Sequence, residues 1–140
     1  MTYPSWPTEL PRLDLRGYGR APVDNRRKKP TDVGPPEYRP RTTLMTDRMS
    51  IPIITDLACR QLLWRFWREE LQEGASYFTL PDPVIDGKPL LDENFAPILN
   101  VDGTPVLNSK ILLCAMTEPP SEVAPIGRGF TFELTLDILP

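Results

Sequence analysis

Proline is the residue that most restricts what this chain can fold into. The 140 residues include eighteen prolines and eight glycines, and the proline share is more than twice the usual value of about 5%. An interior proline removes a backbone donor and clashes with the preceding helical turn, which excludes long uninterrupted helices. No apolar run approaches the roughly 18 residues of a membrane span, and the N-terminus lacks the charged-then-apolar order of a signal peptide. We therefore expect no membrane contact and a chain that stays in the cytosol until it is assembled or released.

The prolines and charges divide the chain into two parts. Residues 1–41 contain eight prolines, nine Lys/Arg and five Asp/Glu, which give a net charge of +4. Residues 42–140 contain seven Lys/Arg and fourteen Asp/Glu, which give −7. Prolines bias their neighbours toward extended backbone, and four aromatic residues in the first part are more typical of a docked arm than of a disordered tail. We predict an extended, basic, Pro-rich arm over 1–41, with a short strand at 12–16 and a turn at 17–19, and a separate body over 42–140.

The body is predicted to be mainly antiparallel β-structure with one helix packed on it. The helix over 56–73 begins with Thr55 or Asp56 as its N-cap and ends before Gly74, where a left-handed cap fits. Its apolar face recurs at three- and four-residue steps and comprises Cys59, Leu62, Leu63, Phe66, Trp67 and Leu71. Strands are predicted over 41–54, with Pro52 at an edge or bulge, and over 77–80, 110–116 and 129–139. Residues 118–129 are expected to be a loop.

An eight-residue repeat follows the second of these strands. Residues 81–112 align as PDPVIDGK, PLLDENFA, PILNVDGT and PVLNSKIL. Each unit opens with proline, and Asp86-Gly87 and Asp102-Gly103 are strong hairpin-turn dipeptides. We predict a small Pro-started β-meander that projects from the body. Calcium binding by Asp92, Asn100 and Asp102 is the alternative, although the ligand order of an EF-hand is absent from the sequence.

Composition excludes most catalytic machinery. The chain has no histidine, which rules out Ser-His-Asp and Cys-His catalysis and histidine metal sites. Cys59 and Cys114 could pair by count, but two free thiols that serve as small apolar residues fit their spacing better. We expect no enzyme, no cofactor and no metal.

Three other functions stay open at this point. Two carboxylates that meet in space could act on a glycosidic bond. The basic run Arg26–Lys29 could contact nucleic-acid phosphates, although the negative charge of the body disfavours nucleic-acid binding. Pro35–Tyr38 has the PPxY form that WW domains bind, so the chain could be an adaptor module.

Five segments, taken in order, resemble a known family. They are LRGYGRAP (15–22), DVGPPEYRPR (32–41), LLWRFWREELQEGASYFTLPDP (62–83), ILLCAMTEPP (111–120) and FTFELTLDIL (130–139). Together they are similar to the minor tail proteins of long-tailed bacteriophages, the lambda-type distal tail or tail-tip adaptor group. Two features depart from that pattern: a single glycine, Gly74, follows the helix, and the repeat over 81–112 is long.

The resemblance implies an antiparallel β-sandwich or barrel of the tail-tube type that assembles as a six-fold homo-oligomeric ring. The ring would join the tail tube protein to the hub or fibre-bearing tip, in the virion tail, after assembly in the cytoplasm of a bacterial host. DNA would be passing cargo, because an acidic lumen repels phosphate. Deletion of 1–41 is expected to leave a folded body that no longer assembles. The residues expected to contact partners are Tyr18, Arg20, Pro35, Pro36, Arg39 and Arg41 in the leader and Arg65 and Arg68 on the helix.

Overall fold

Antiparallel strands dominate the computed structural model, which describes residues 2–11, 13–127 and 129–140. Strands make up 39% of the chain. A 3-10 turn at Leu15–Gly17 precedes the first strand, and a π turn at Phe66–Glu70 follows the α-helix. The elements are β1 (Gly19–Pro22), β2 (Arg26–Lys29), β3 (Glu37–Pro40), β4 (Asp47–Thr55), α1 (Leu57–Arg65), β5 (Phe78–Pro81), β6 (Ile111–Met116), β7 (Ser121–Ile126) and β8 (Gly129–Leu139).

The main sheet has six strands in the order β1-β4-β8-β6-β5, with β7 also paired to β8. β8 is its central strand, because it pairs with β4 over Phe130–Ile138, with β7 near its start and with β6 near its end. Within the described residues β1 and β5 form no ladder with each other, so the sheet is not a closed barrel. The prediction of a mainly β chain with one helix is confirmed.

The core lies on one face of this sheet and is covered by the helix and the π turn. Alternate residues of a strand point to the same face, so the register aligns Met49 with Leu136 and Ile51 with Leu134 across β4 and β8. The apolar residues that alternate along β8 form its inner face: Phe130 is half-buried, and Phe132, Leu134, Leu136 and Ile138 are buried. The buried apolar set is Leu10, Met49, Ile51, Ile53, Leu63, Phe66, Trp67, Leu71, Phe78, Leu80, Leu112, Cys114, Met116, Phe132, Leu134, Leu136 and Ile138.

The helix begins at its predicted N-cap, but the α-helix ends at Arg65 and the π turn at Glu70 rather than at residue 73, because Gln72 and Glu73 have positive φ angles of 50° and 57°. The Asp56 carboxylate accepts a hydrogen bond from the Cys59 amide at 2.8 Å, which lowers the pKa of Asp56. The π turn then replaces the predicted α-helix from Phe66 onward, and the Leu71 amide donates to the Phe66 carbonyl at 3.0 Å. Gly74 closes the element with φ +90°, and a Cβ there would lie 2.6 Å from the Trp67 ring. Glycine therefore satisfies both the backbone angle and the contact.

The first part of the leader belongs to the body. The Trp6 amide donates to the Thr79 carbonyl at 2.8 Å, and the Asp14 amide donates to the Pro52 carbonyl at 2.9 Å. Leu10 lies between these two points and is 7% exposed. Residues 4–22 thus run from the edge strand β5 to β4, where β1 continues the sheet. The predicted strand at 12–16 is wrong, because a 3-10 turn starts at residue 15; Arg12 itself is outside the described residues.

Two further expectations for the body are corrected. Residues 121–126, predicted to belong to a loop over 118–129, form strand β7, which pairs with β8 and shifts register between Val123 and Ile126. The strand predicted over 41–54 begins at residue 47, and Leu44 is 61% exposed. Pro52 lies beyond the end of the β1 ladder at Ser50, so its missing amide falls where β4 is locally an edge.

One end of the sheet carries both excursions of the chain. Asp47 at the start of β4 pairs with Ile138 at the end of β8, and Cys114 of β6 pairs with the same residue. The chain leaves this projecting end after β1, at residue 22, and after β5, at residue 81. The helix starts from the opposite end, beyond Thr55. Within the described ranges every helix is too short or too polar to cross a bilayer.

Candidate functional site

Residues 26–41 form a two-stranded ribbon that we call the basic hairpin. β2 and β3 pair in register from Arg26–Pro40 to Lys29–Glu37, and Pro36 is half-buried while the other residues of this segment are exposed. The hairpin continues the β1–β4 ribbon outward, because the Val23 amide donates to the Thr46 carbonyl at 2.9 Å. Gly34 takes φ +94° in its turn. The hairpin is therefore ordered without contact with the core.

The basic hairpin holds six Lys/Arg and two Asp/Glu, a net charge of +4. Arg26 is satisfied locally: its Nε donates to Asp24 at 2.9 Å, and its guanidinium lies 4.6 Å from the centre of the Tyr38 ring. The side-chain and backbone hydrogen bonds from Arg26 lower the pKa of Asp24 to about 2. On the other face Arg27 lies directly opposite Arg39, a like-charge pair that destabilises a sheet.

The other positive charges of the hairpin outnumber the carboxylates beside them. In the part of the chain that the structure describes, none of Arg27, Lys28, Lys29, Arg39 and Arg41 makes an ion pair. Glu37 lies opposite Lys29, on the face that also carries Arg27 and Arg39, so this face keeps a net positive charge and its cross-strand pair of arginines is unfavourable. This side of the hairpin is therefore suited to an acidic surface outside its own subunit.

The predicted contact residues separate into three places. Pro35 and Pro36 lie in the turn of the basic hairpin, and Arg39 and Arg41 lie on its second strand and just after it. Tyr18 and Arg20 lie on the body. Arg65 and Arg68 lie on α1 and the π turn, where both line a depression whose lining includes no residue of the basic hairpin.

Tyr18 and Arg20 serve their own fold. Tyr18 is half-buried against the core. The Arg20 guanidinium lies 2.8 Å from Asp47 and 3.6 Å from Asp82. Asp82 is 1% exposed in its side chain, and its Oδ1 accepts hydrogen bonds from the amides of Val84 and Ile85 at 2.9 and 3.2 Å. Arg20 belongs to β1 and Asp82 directly follows β5. This ion pair therefore joins the bases of the two excursions.

The helix arginines are solvent-exposed. The Arg68 guanidinium lies 5.5 Å from the centre of the Trp64 ring. Both arginines line a shallow depression of about 520 Å³ together with Arg60, Gln61, Trp64 and Glu69. Arg60 is committed to the fold, because its Nε donates to Glu122 of β7 at 2.6 Å.

The second excursion, residues 89–108, is a closed three-unit structure that we call the three-unit loop. Its bridges join Pro89 with Leu107, Leu91 with Pro97 and Leu99 with Pro105. The middle residues bond in a cycle: the amide of Leu90 donates to Val106, that of Val106 to Ile98 and that of Ile98 to Leu90, at 2.8, 2.8 and 2.9 Å. The eight-residue repeat therefore encodes a pseudo-three-fold arrangement of its last three units rather than a meander.

The three-unit loop is both apolar and acidic at its surface. It contains three Asp/Glu and no Lys/Arg, a net charge of −3. The Oδ1 atoms of Asp92 and Asp102 accept hydrogen bonds from backbone amides within their turns. Hydrogen bonds from the hydroxyl and then the amide of Thr104 lower the pKa of Asp102. Among the described residues no three His, Cys, Asp or Glu side chains converge. Its large exposed apolar residues are Leu90, Leu91, Phe95, Ile98, Leu99, Val101 and Leu107.

Periodicity alone did not reveal that this segment is exposed. Its apolar residues resemble those of a buried strand, and Phe95 and Val101 are 83% and 110% exposed. The detectable signal was the eight-residue repeat itself, since units this short have too little area to bury a core of their own. Large exposed apolar patches in soluble proteins mark interaction sites.

A cavity of about 480 Å³ lies where the N-terminal segment crosses β5. Trp6, Leu10, Leu13 and Leu80 line it, and Asp82 lies at its wall. The wall also includes Lys88, one residue before the three-unit loop. The cavity therefore separates the core from the base of that loop.

The PPxY tetrapeptide lies within the basic hairpin. Glu37 and Tyr38 belong to β3, opposite Lys29 and Lys28. The Tyr38 ring is also covered by Arg26. WW domains bind a free polyproline II segment, whereas here half of the tetrapeptide is paired as a strand.

Both thiols are free, with Cys59 half-buried and Cys114 buried. Burial raises the pKa of the Cys114 thiol to about 12, whereas an unfolded thiol has a pKa near 8.5. Below pH about 8 both states keep the proton. Between pH about 8.5 and 12 the unfolded state alone loses it, so folding stability falls as the pH rises.

We expect the free energy of unfolding to fall by about 2 kcal/mol from this thiol between pH 8 and 10. Urea unfolding of the wild type and of Cys114→Ala at both pH values isolates the effect, because lysines and tyrosines titrate equally in both proteins. Equal losses in the two proteins would contradict a buried, neutral thiol.

Comparisons with protein-family models, with curated proteins and with solved structures found no match. The two projecting surfaces, the basic hairpin and the three-unit loop, are therefore the features from which a function is argued.

Proposed function

We propose that the chain is a non-catalytic structural subunit of a bacteriophage tail tip. In this proposal several copies, six by the family resemblance, form a ring that joins the tail tube protein to the hub or fibre-bearing tip. The assembled protein is located in the virion tail, and assembly takes place in the cytoplasm of the bacterial host. The β-sandwich or barrel of tail-tube proteins is the finer architecture that the resemblance implies for the body.

The single observation that carries this proposal is the basic hairpin, which pairs only with itself and extends the β1–β4 ribbon beyond the core. A two-stranded ribbon that packs on no other layer is at best marginally stable in water, and this one also holds Arg27 opposite Arg39. Such a ribbon gains order and charge compensation from a neighbouring chain. A subunit that assembles needs this kind of element, whereas a monomeric enzyme does not.

Charge supports the rest of the proposal. Residues 42–140 carry a net charge of −7, and part of it would line the central channel of the ring. Negative walls repel DNA phosphates, so DNA would pass as cargo without adhering. The opposite sign of the basic hairpin would hold it against a neighbouring subunit, away from the lumen.

Negative-stain electron microscopy of the purified full-length chain tests the proposal. We expect closed rings with a central opening, and no rings from a variant in which Asn-Gly replaces residues 26–41. Asn-Gly is a strong two-residue hairpin turn, and Asn25 and Thr42 are already adjacent, with Nδ2 of Asn25 donating to the Thr42 carbonyl at 2.6 Å. Particles of single subunits at every concentration would overturn the proposal.

A further inference from the structure

The two projecting surfaces have complementary properties. We propose that the three-unit loop of one copy docks on the basic hairpin of the next copy, which rests on the proposed function and names the contact that builds the ring. The occupant of each surface is therefore a second copy of this chain.

Charge complementarity is the first argument. The hairpin carries +4 and the loop −3. Asp92 and Asp102 use Oδ1 for turn hydrogen bonds, and neither Oδ2 has a protein partner within the described residues. Glu93 makes no ion pair there either. Arg27 and Arg39 likewise make no ion pair within the described residues. Docking would therefore give the carboxylates of the loop and the arginines of the hairpin a partner of opposite charge.

Apolar surface is the second argument. Phe95 and Val101 of the loop are 83% and 110% exposed, while Val33 in the hairpin turn is 92% exposed. An interface needs an apolar centre inside a polar rim, and the two surfaces together supply both. The hydrogen-bond cycle of the loop fixes its backbone before docking, which lowers the entropic cost of association.

Placement is the third argument. Both surfaces leave the projecting end of the sheet, one from the β1–β4 edge and the other from the β5–β6 edge. In the described part of one chain no ion pair joins them, and the hairpin is exposed at all positions but one. A contact between two different patches is heterologous. It closes into a ring when the rotation that relates neighbouring subunits is a full turn divided by a whole number. The Arg20–Asp82 ion pair joins the bases of the two excursions, so both patches project from the same end of the subunit, where each would meet a different neighbouring copy.

A complementation experiment tests this contact. The hairpin variant is Arg27→Glu/Arg39→Glu. The loop variant is Asp92→Asn/Glu93→Lys/Asp102→Asn, in which asparagine keeps the turn-capping oxygen. Arg16→Glu is the control, because Arg16 is 94% exposed in its side chain and lies on the body. Sedimentation velocity of each protein alone and of the equimolar mixture gives the readout.

We expect each variant alone to associate at least about tenfold more weakly than the wild type, and the Arg16→Glu control to match the wild type. The mixture is expected to form one-to-one dimers, because one native loop meets one native hairpin. Normal association by either variant, or a mixture that stays monomeric, would overturn the docking contact while leaving the assembly proposal in place. A wild type that never associates would overturn both.

A cross-linking measurement tests the same docking contact if one of these variants does not fold. A photoreactive amino acid replaces Phe95, which is exposed, in otherwise wild-type protein, and the chain is prepared with normal and heavy nitrogen. Mass spectrometry is expected to find position 95 linked to peptides of residues 26–41 in mixed isotope pairs. Links confined to a single isotope, or links to another surface, would show that the loop does not dock on the hairpin of a second copy.

Discussion

Removal of residues 1–22 is expected to unfold the protein, whereas replacement of residues 26–41 by Asn-Gly leaves a folded subunit whose melting temperature matches that of the dissociated wild type. The first segment contributes the buried Leu10 and the packed Trp6, and it supplies β1, which pairs with β4. Loss of a large buried apolar side chain costs about 2–5 kcal/mol, and two such losses approach the whole stability of a small domain. The hairpin buries none of its residues, so the body loses no core contact with it.

Thermal unfolding followed by circular dichroism measures both proteins. This outcome differs from the expectation that the body folds without residues 1–41, because that expectation treated the leader as one arm. A cooperative transition in the protein that lacks 1–22, near the wild-type temperature, would mean that these residues only rest on the body. A large decrease below the dissociated wild type after the Asn-Gly replacement would mean that the hairpin supports the core.

Phe66→Ala is expected to lower the free energy of unfolding by about 3–5 kcal/mol. Phe66 is 1% exposed, and its ring meets Trp6 and Phe78 edge to face, with centroids 5.7 and 5.8 Å away. The substitution leaves a cavity where the leader, the π turn and β5 meet. Urea denaturation measures the change.

Phe95→Ala is the matched control for this substitution. It removes the same atoms from a ring that is 83% exposed, so we expect a change within about 0.5 kcal/mol. Similar losses at the two positions would contradict the placement of Phe66 in the core. The control protein should associate more weakly than the wild type, because Phe95 belongs to the proposed docking surface.

The helix and β8 could be predicted because their apolar residues recur with a clear period. Leu63, Phe66 and Trp67 fall on one helical face, and Phe132 to Ile138 alternate along an inner strand face. β7 was missed because Pro119 and Pro120 precede it and Pro125 lies within it, and because its pairing depends on β8 rather than on local sequence. The path of residues 4–22 was missed for the same reason, since its hydrogen bonds go to Thr79 and Pro52.

The candidate site was only partly predictable. Local composition located the basic run and the eight-residue repeat, and both prove to be exposed surfaces. The role of Arg20 was not predictable, because Asp47 and Asp82 reach it from distant parts of the sequence. The exposure of Phe95 and Val101 could be recognised only in the three-dimensional structure. These residues have the same apolar character as core residues and differ only because no other layer packs against them.

The native mass of the full-length chain over a range of concentrations tests most directly whether it functions as a subunit of a larger assembly. The polypeptide has a mass of 15.9 kDa. Sedimentation equilibrium is expected to give a multiple of this mass that falls toward one subunit when residues 26–41 are replaced by Asn-Gly. A single 15.9 kDa species for the wild type at every concentration would contradict the account.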